Sequence, residues 1–307
     1  MCCVAELEDV LVNEYDAELC CLPDVPRNIG SDVTVFCCLI AFYQLYSIES
    51  LLARFKHSGN RVVIYCFDCW DVPTVLYSRR RLLRDLVRPS LRIEQLVDRL
   101  CLPFRSVCSS LKPEHRALAR HVPLGVDATL VNGYNSDRPI SVLAYGRQPP
   151  NLVRAIAIAM NDPASPLIFH HTDHFTVGGI NDRLLHRMHF WKLAQSSRIA
   201  ITYDAKVTSP HRVPISIVGQ RFYESLAAGC ALAGRRPTTD EADELLDWPD
   251  AVIELPDDPA EVVAALIDLS SDTRSLSVIR ERNVEETRAR HDWRQRIAHM
   301  LDDQPQG

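Results

Sequence analysis

The chain has 307 residues, 47% hydrophobic and 24% charged, enough for two ordinary domains with their own cores. Its net charge of −6 and pI near 6.0 argue against a nucleic-acid partner, which needs a basic excess. No stretch reaches the ~20 apolar residues of a membrane span, and the acidic start MCCVAELEDVL has no basic leader, so a cytoplasmic location is expected.

Val4, Leu7, Val10 and Leu11 set a helix over 5–16. AELCCLP (17–23), residues 32–40 and RVVIYCF (61–67) read as strands, with a helix near 44–56 before the third. The run VFCCLIAFYQLY (35–46) is a buried strand passing into that helix. RRRLLRDLV (79–87) is helical. Arg80, Arg84 and Arg88 recur every four residues opposite Leu82, Leu83, Leu86 and Val87. Such a face is either simply solvated or rests on an anionic membrane surface, a peripheral contact at the inner face that suits a lipid-linked acceptor. RHVPLGVD (120–127) closes the first half, and NSDRP (135–139) is the expected linker.

A second alternation follows. ISVLAYG (140–146), PLIFHH (166–171), SRIAITY (197–203), CALAG (230–234) and AVIELP (251–256) read as strands. Helices are expected over 151–160, 182–195, 219–228 and an acidic stretch after Thr239, and the chain closes in a long helical stretch over 273–302. In the 182–195 helix, Leu184, Leu185, Met188, Trp191 and Leu193 are apolar. Asp258-Pro259-Ala260-Glu261 is a capping box with proline at the first helical position. Strands alternating with helices make two parallel α/β sheets in series, 1–135 and 136–307. Ligands of such sheets bind at the carboxyl ends of strands.

Ten of the 11 cysteines lie in residues 1–108. Adjacent pairs point to opposite faces of a strand, and Cys66/Cys69 is a C-x-x-C with no second pair. No structural metal site is expected from them; they read as free thiols used as small hydrophobes.

GQRFYESLAAGCALAG (219–234) holds two opposite charges in a small, apolar stretch. Phe222 and Leu226 share a face, Glu224 falls off it, and Gly229 stops the helix. The start of such a helix suits a phosphate, a carboxylate beside it accepts from sugar hydroxyls, and Arg221 can meet a diphosphate. The spacing equally fits an Arg221–Glu224 helix pair at i, i+3, worth roughly 0.2–0.5 kcal/mol. Two further stretches follow strands. IFHHTDH (168–174) brings His170, His171, Asp173 and His174 together as a ligand-lining loop or as metal ligands. FDCWD (67–71) brings Asp68, Trp70 and Asp71 together after a strand, a surface for a sugar or an ordinary loop.

RFYESLAAGCALAG resembles the donor-site segment of retaining GT-B glycosyltransferases, the glycosyl transferases group 1 superfamily, written R-x-x-E-A-x-A-C-G, in its divergent R-x-F/Y-E branch. PLGVD (123–127), VLAYGR (142–147), ELPDDPAEVVAALIDL (254–269) and HDWRQRIAHML (291–301) resemble other segments of that family and stand in its order. The resemblance implies a GT-B fold: two Rossmann-like α/β domains whose parallel sheets face a cleft. The acceptor-side domain would be 1–135, in reduced form, and the donor domain 136–307, with the last helix packing back on the first domain.

The implied reaction is transfer of a hexosyl group from a nucleotide diphosphate sugar to an acceptor hydroxyl. It would proceed with retention and without a metal, in glycan, polysaccharide or glycolipid biosynthesis. The partners would be that donor and a sugar or lipid-linked acceptor, with no cofactor. Glu224 would bind ribose or sugar hydroxyls, Arg147 would approach the diphosphate, and Gly146 would let the backbone come close. Gln220 and Arg221 would line the same pocket, and Asp68 and Trp70 would serve the acceptor. No catalytic nucleophile stands out.

The chain departs from the family at three points. Ser216 stands where many members carry a second glutamate eight residues before the first. The loop GRQPPN lacks a lysine, for which Lys206 is a substitute from another loop. The chain also opens in a helix rather than a strand and glycine-rich loop. Two alternatives therefore stay open: a catalytically silent nucleotide- or partner-binding protein of this fold, and a nucleotide-sugar epimerase.

Overall fold

A computed structural model describes residues 2–26, 29–77, 92–131, 137–172, 182–208, 211 and 213–302. The chain forms two units, Glu8–Leu124 with Arg294–Gly307, and Cys2–Leu7 with Gly125–Trp293. Helix α1 (Cys2–Tyr15) contributes its first turns to the second unit and the rest to the first. Arg80, Arg84 and Arg88 lie outside the described residues, as do Asp173 and His174.

In the first unit, strands β1 (Thr34–Ala41), β2 (Arg61–Asp68), β3 (Arg99–Leu102) and β4 (Ala119–His121) form a parallel sheet in the order 1-2-3-4. β2 is apolar almost throughout because a parallel strand is buried on both faces. Helix α2 (Leu45–His57) covers it with Leu45, Ile48, Leu52 and Phe55, one face of a 3.6-residue repeat. The strand expected over 17–23 is absent. Asp16 turns out of α1 at φ 52°, and a short 3-10 turn covers Leu22–Asp24. Leu19 and Leu22 stay exposed, and Pro23 cannot donate to a ladder. Strand β3 escapes a periodicity reading because its four residues show no alternation and Pro103 follows at once.

The closing helix α9 (Trp293–Leu301) ends on three arginines of this unit. Arg61 gives both Nη groups to the Leu301 carbonyl at 3.1 Å, Arg99 donates to Met300 at 2.6 Å, and Arg120 donates to Asp302 at 3.0 Å. The last carbonyls of a helix lack partners and carry partial negative charge, so cations complete them.

Cys20, Cys21, Cys37, Cys38, Cys66, Cys69, Cys101, Cys108 and Cys230 are free thiols. Burial pushes the Cys66 and Cys69 thiols well up, and those of Cys101 and Cys230 to about 12 and about 11. Cys20 and Cys21 are exposed. Iodoacetamide at neutral pH is therefore expected to label Cys20 and Cys21 and to spare the other four until the chain unfolds. Peptide mass mapping reads this out, and rapid labelling of Cys66 in the folded protein would contradict it.

In the second unit, β5 (Ile140–Ala144), β6 (Phe169–His171), β7 (Ser197–Tyr203), β8 (Ala231–Arg235) and β9 (Ile253–Glu254) are parallel, in the order 6-5-7-8-9. The chain goes from β5 outward to β6 and then crosses back to β7, so the carboxyl ends of β5 and β7 flank the topological switch point. Val142, Ala144, Ile199, Ile201, Ala231 and Ala233 meet Leu152, Ile156 and Leu266 in the core. Those last three come from α3 (Pro150–Met160) and α7 (Pro259–Ser271). As the sequence predicts, Asp258 caps α7, accepting from Ala260 N at 2.9 Å and Glu261 N at 3.2 Å, with Pro259 at its first position.

One expectation is corrected. The stretch 273–302 is two helices, α8 (Thr273–Arg290) and α9. Val126 breaks it by pairing with the backbone: it donates to His291 O and accepts from Trp293 N, both at 3.0 Å. In α4 (Arg183–Gln195), the buried line is Arg187, Trp191 and Ala194, while Leu185 and Met188 are 61% and 54% exposed. The helix expected over 182–195 thus packs through i, i+4, i+7 on a line that begins with a charge and includes Trp191.

Candidate donor site

Helix α5 (Gln220–Ala227) carries the central residues of the 219–234 stretch, and Phe222 through Ala227 are all buried. Its start lies beside the loop that follows β5. Gly146 in that loop adopts φ +64°, and a Cβ there would sit 3.4 Å from Arg221 Cδ. The Arg221 guanidinium donates to the Tyr145 and Arg147 carbonyls at 3.3 and 2.5 Å. In return, the Tyr145 hydroxyl donates to the Arg221 carbonyl at 3.0 Å and shares a hydrogen bond with Ser225 Oγ at 2.9 Å. Burial lowers the Arg221 pKa, and the nearby Tyr145 opposes that shift. The structure thus brings Gly146, Arg147 and Arg221 together, with Arg221 clamping the loop to the helix.

Gln220 reaches the other way. Its Nε2 donates to the Gly125 carbonyl at 2.8 Å. Gly125 is pressed against Trp293 and the His291 carbonyl, where an added Cβ would come within 2.9 and 3.0 Å. The Gly125–Asp127 stretch, the 219–234 stretch and the His291–Trp293 stretch are therefore neighbours in space. Tyr223 adds an edge contact to the His291 ring at 5.0 Å.

Glu224 does not pair with Arg221. Its Oε1 accepts from Arg187 Nη1 at 2.6 Å, and Glu224 is only 5% exposed. The other edge of that guanidinium goes to Glu6. Nε donates to Glu6 Oε1 at 2.8 Å, and Nη2 also binds that oxygen. Trp191 Nε1 reaches the same oxygen at 2.9 Å. The guanidinium lies against the Phe190 and Trp191 rings at 4.7 and 5.4 Å. Burial works against the charge on Arg187, but Glu224 and Glu6 outweigh it and raise its pKa. Burial also raises the Glu6 carboxyl, with Arg187 opposing. Glu6 and Arg187 carry no signal in the sequence, because they stand 218 and 37 positions from Glu224 and follow no motif.

Ser216 has a carboxylate beside it after all. Asp204, at the end of β7, accepts from Ser216 Oγ and, at 3.0 Å, from Lys206 N. Lys206 itself is in the short helix Ala205–Thr208, with an exposed side chain. His170 and His171 are half-buried at the end of β6, and His171 stacks on Phe169 at 6.2 Å. Among the described residues, no group of three or more His, Cys, Asp or Glu could hold a metal ion. In the first unit, Asp68 ends β2 and Trp70 follows it, both half-buried, and Trp70 stacks on Phe104 at 6.3 Å. Neither belongs to the cluster around Glu224. No described helix is long and apolar enough to cross a membrane.

The chain thus carries two parallel α/β sheets in series, and in the second Gly146 and Arg221 meet beside the loop after β5. Residues 165–302 match the family model for glycosyl transferase-like proteins. Among solved structures, the chain is similar to Anabaena HepE in complex with UDP-glucose. That match has 13% identity, covers 82% of this chain and 75% of the other, and has a TM-score of 0.48. It is also similar to a TarM variant from S. aureus in complex with Fondaparinux, alpha-GlcNAc-glycerol and UDP (8% identity, 84% and 57% covered, TM-score 0.49). A third is the pneumococcal O-GlcNAc transferase GtfA with UDP and GlcNAc (10%, 84% and 55%, TM-score 0.47). The chain spans little more than half the length of the last two. No curated protein matches the chain in sequence.

Proposed function

We propose that the chain transfers a sugar from a nucleotide diphosphate sugar to an acceptor hydroxyl, with retention and without a metal, in glycan, polysaccharide or glycolipid biosynthesis. The observation that carries this reading is the convergence of the Gly146 loop, the start of α5 and the Glu224 carboxylate at the ends of β5 and β7. In this reading Glu224 accepts from hydroxyls of the ribose or sugar. Arg147 faces the diphosphate, and the first N–H groups of α5 add positive field there. As the diphosphate departs, that fixed charge stabilises it without reorganisation. Gln220 and Arg221 shape the pocket by fixing its walls. Asp68 and Trp70 serve the acceptor, which is a sugar or a lipid-linked hydroxyl. Arg80, Arg84 and Arg88 provide a peripheral contact with anionic lipid.

The test is a thermal-shift screen of the full chain against UDP-, GDP-, dTDP- and ADP-glucose, followed by donor hydrolysis and by calorimetry on E224A. The variant is expected to lose donor affinity by about tenfold or more, since a charge-assisted hydrogen bond is worth roughly 1.5–3 kcal/mol. Equal affinity in E224A and wild type removes the role of Glu224. A second reading is a protein that binds the nucleotide-sugar without turnover. It is favoured by Ser216 and by the pinning of Glu224 on Arg187. Donor binding without release of the nucleoside diphosphate in any acceptor mixture would select it.

A further inference from the structure

We propose that Arg187 and Glu6 are positioning residues for Glu224, so that the first turns of the chain complete the donor pocket of the second unit. The inference rests on the donor role given to Glu224 above. A carboxylate that is 5% exposed needs a charged partner and a fixed direction. Arg187 supplies both, and it binds Oε1 alone. Oε2 is thereby left to accept from a ligand hydroxyl.

Arg187 is itself held from three directions. Glu6 engages Nε and Nη2, while the rings of Phe190 and Trp191 flank the guanidinium. Glu6 is anchored in turn by Trp191 Nε1 and by an N–H from Asp127 at 3.5 Å. The order of support therefore runs Trp191 and Asp127 to Glu6, Glu6 to Arg187, and Arg187 to Glu224. Placing two carboxylates on one guanidinium is poor design for stability alone, since an apolar replacement of such a triad is often as stable or more so. It is good design for fixing one oxygen at a binding site, where each contacting group needs rotamers locked by a supporting shell. Tyr145, His186 and Arg221 also lie close enough to feel the Glu224 charge, but in the structure Arg187 is the cation bound to it.

The experiment uses the full chain and the nucleotide diphosphate glucose that stabilises the wild type most among the UDP, GDP, dTDP and ADP forms. Dissociation constants are measured by calorimetry for E224A, R187M, R187K, E6A and E6Q, at a temperature where circular dichroism shows each fully folded. R187M is expected to bind about tenfold or more weakly, with R187K recovering part of that loss. E6A is expected to weaken binding about fivefold, and E6Q, which keeps an oxygen for Arg187 and Trp191, to restore it. A purely structural role would lower the melting temperature and leave the affinity of the folded protein unchanged. Wild-type affinity in folded R187M and E6A overturns the proposal. If R187M does not fold, the E6A and E6Q pair decides alone: equal affinity in E6A and wild type overturns it. A null result with E224A instead removes the donor reading on which the proposal rests, so the two failures are told apart.

Discussion

Replacing Arg187 with methionine is expected to destabilise the protein by about 3–5 kcal/mol, the usual cost of removing one partner from a buried ion cluster. Arg187 is 7% exposed and Glu6 is 3% exposed, so the variant strands two carboxylates away from water. Urea unfolding measures the loss, and a change below about 1 kcal/mol, the size of an exposed pair, would show that water reaches the cluster. Neutralising the acids together with the arginine, in an E6Q/R187M/E224Q chain, is expected to regain part of the loss. The pH dependence has a definite sign. Burial holds the Glu6 carboxyl above its usual 4.5. Below that value Glu6 is protonated in both the folded and unfolded chain, and no penalty arises. As pH rises, the unfolded chain ionises first, and stability falls until Glu6 also ionises in the folded state. E6Q removes this decline, which shows as a smaller drop in unfolding free energy above pH 4.5 than in the wild type.

The second large effect is expected at Gly234. It lies in β8 at φ 153°, paired with Thr202 of β7, and an added Cβ would stand 1.9 Å from the Thr202 carbonyl oxygen and 2.8 Å from its carbon. Both obstacles are backbone of a neighbouring strand, so no rotamer change relieves the overlap. G234A is expected to cost about 4 kcal/mol or more, beyond the ordinary range for a single methyl group. It would act by prising apart β7 and β8, two central strands of the second sheet. A thermal melt within a few degrees of the wild type would refute this. The same glycine also closes the CALAG segment, whose small residues let β8 lie beneath α5.

The alternation of elements was legible because parallel strands buried on both faces read as apolar runs between amphipathic helices. β2, β5 and β7 are instances, and side-chain caps mark the starts of α6 (Asp240–Leu245) at Thr239 and of α7 at Asp258. Segments that break that grammar were not legible. AELCCLP has the composition of a strand but no neighbour to pair with, and β3 is too short to show a period. At the candidate site, the sequence singles out Glu224, Arg221, Gly146 and Arg147; the structure joins Gly146, Arg147 and Arg221 at the loop after β5, with Glu224 buried on α5 against Arg187. It does not show the partnership that spacing suggested. Arg221 is i−3 from Glu224 yet turns to the Tyr145 and Arg147 carbonyls, because the loop after β5 offers it two acceptors at the mouth of the helix. The true partner of Glu224 comes from another helix, and its support comes from the far end of the chain. Neither leaves a local trace.

That support has a consequence for how the molecule is made. Each unit borrows from the opposite terminus: Cys2–Leu7 belong with Gly125–Trp293, and Arg294–Gly307 belong with Glu8–Leu124. Neither unit is a continuous stretch of chain. During synthesis, Glu6 meets Arg187 only after 181 further residues have followed, while Arg61, Arg99 and Arg120 wait for α9. Such distant closures are slow steps. A fragment cut between Leu124 and Gly125 carries Arg61, Arg99 and Arg120 without the Met300, Leu301 and Asp302 carbonyls that complete them.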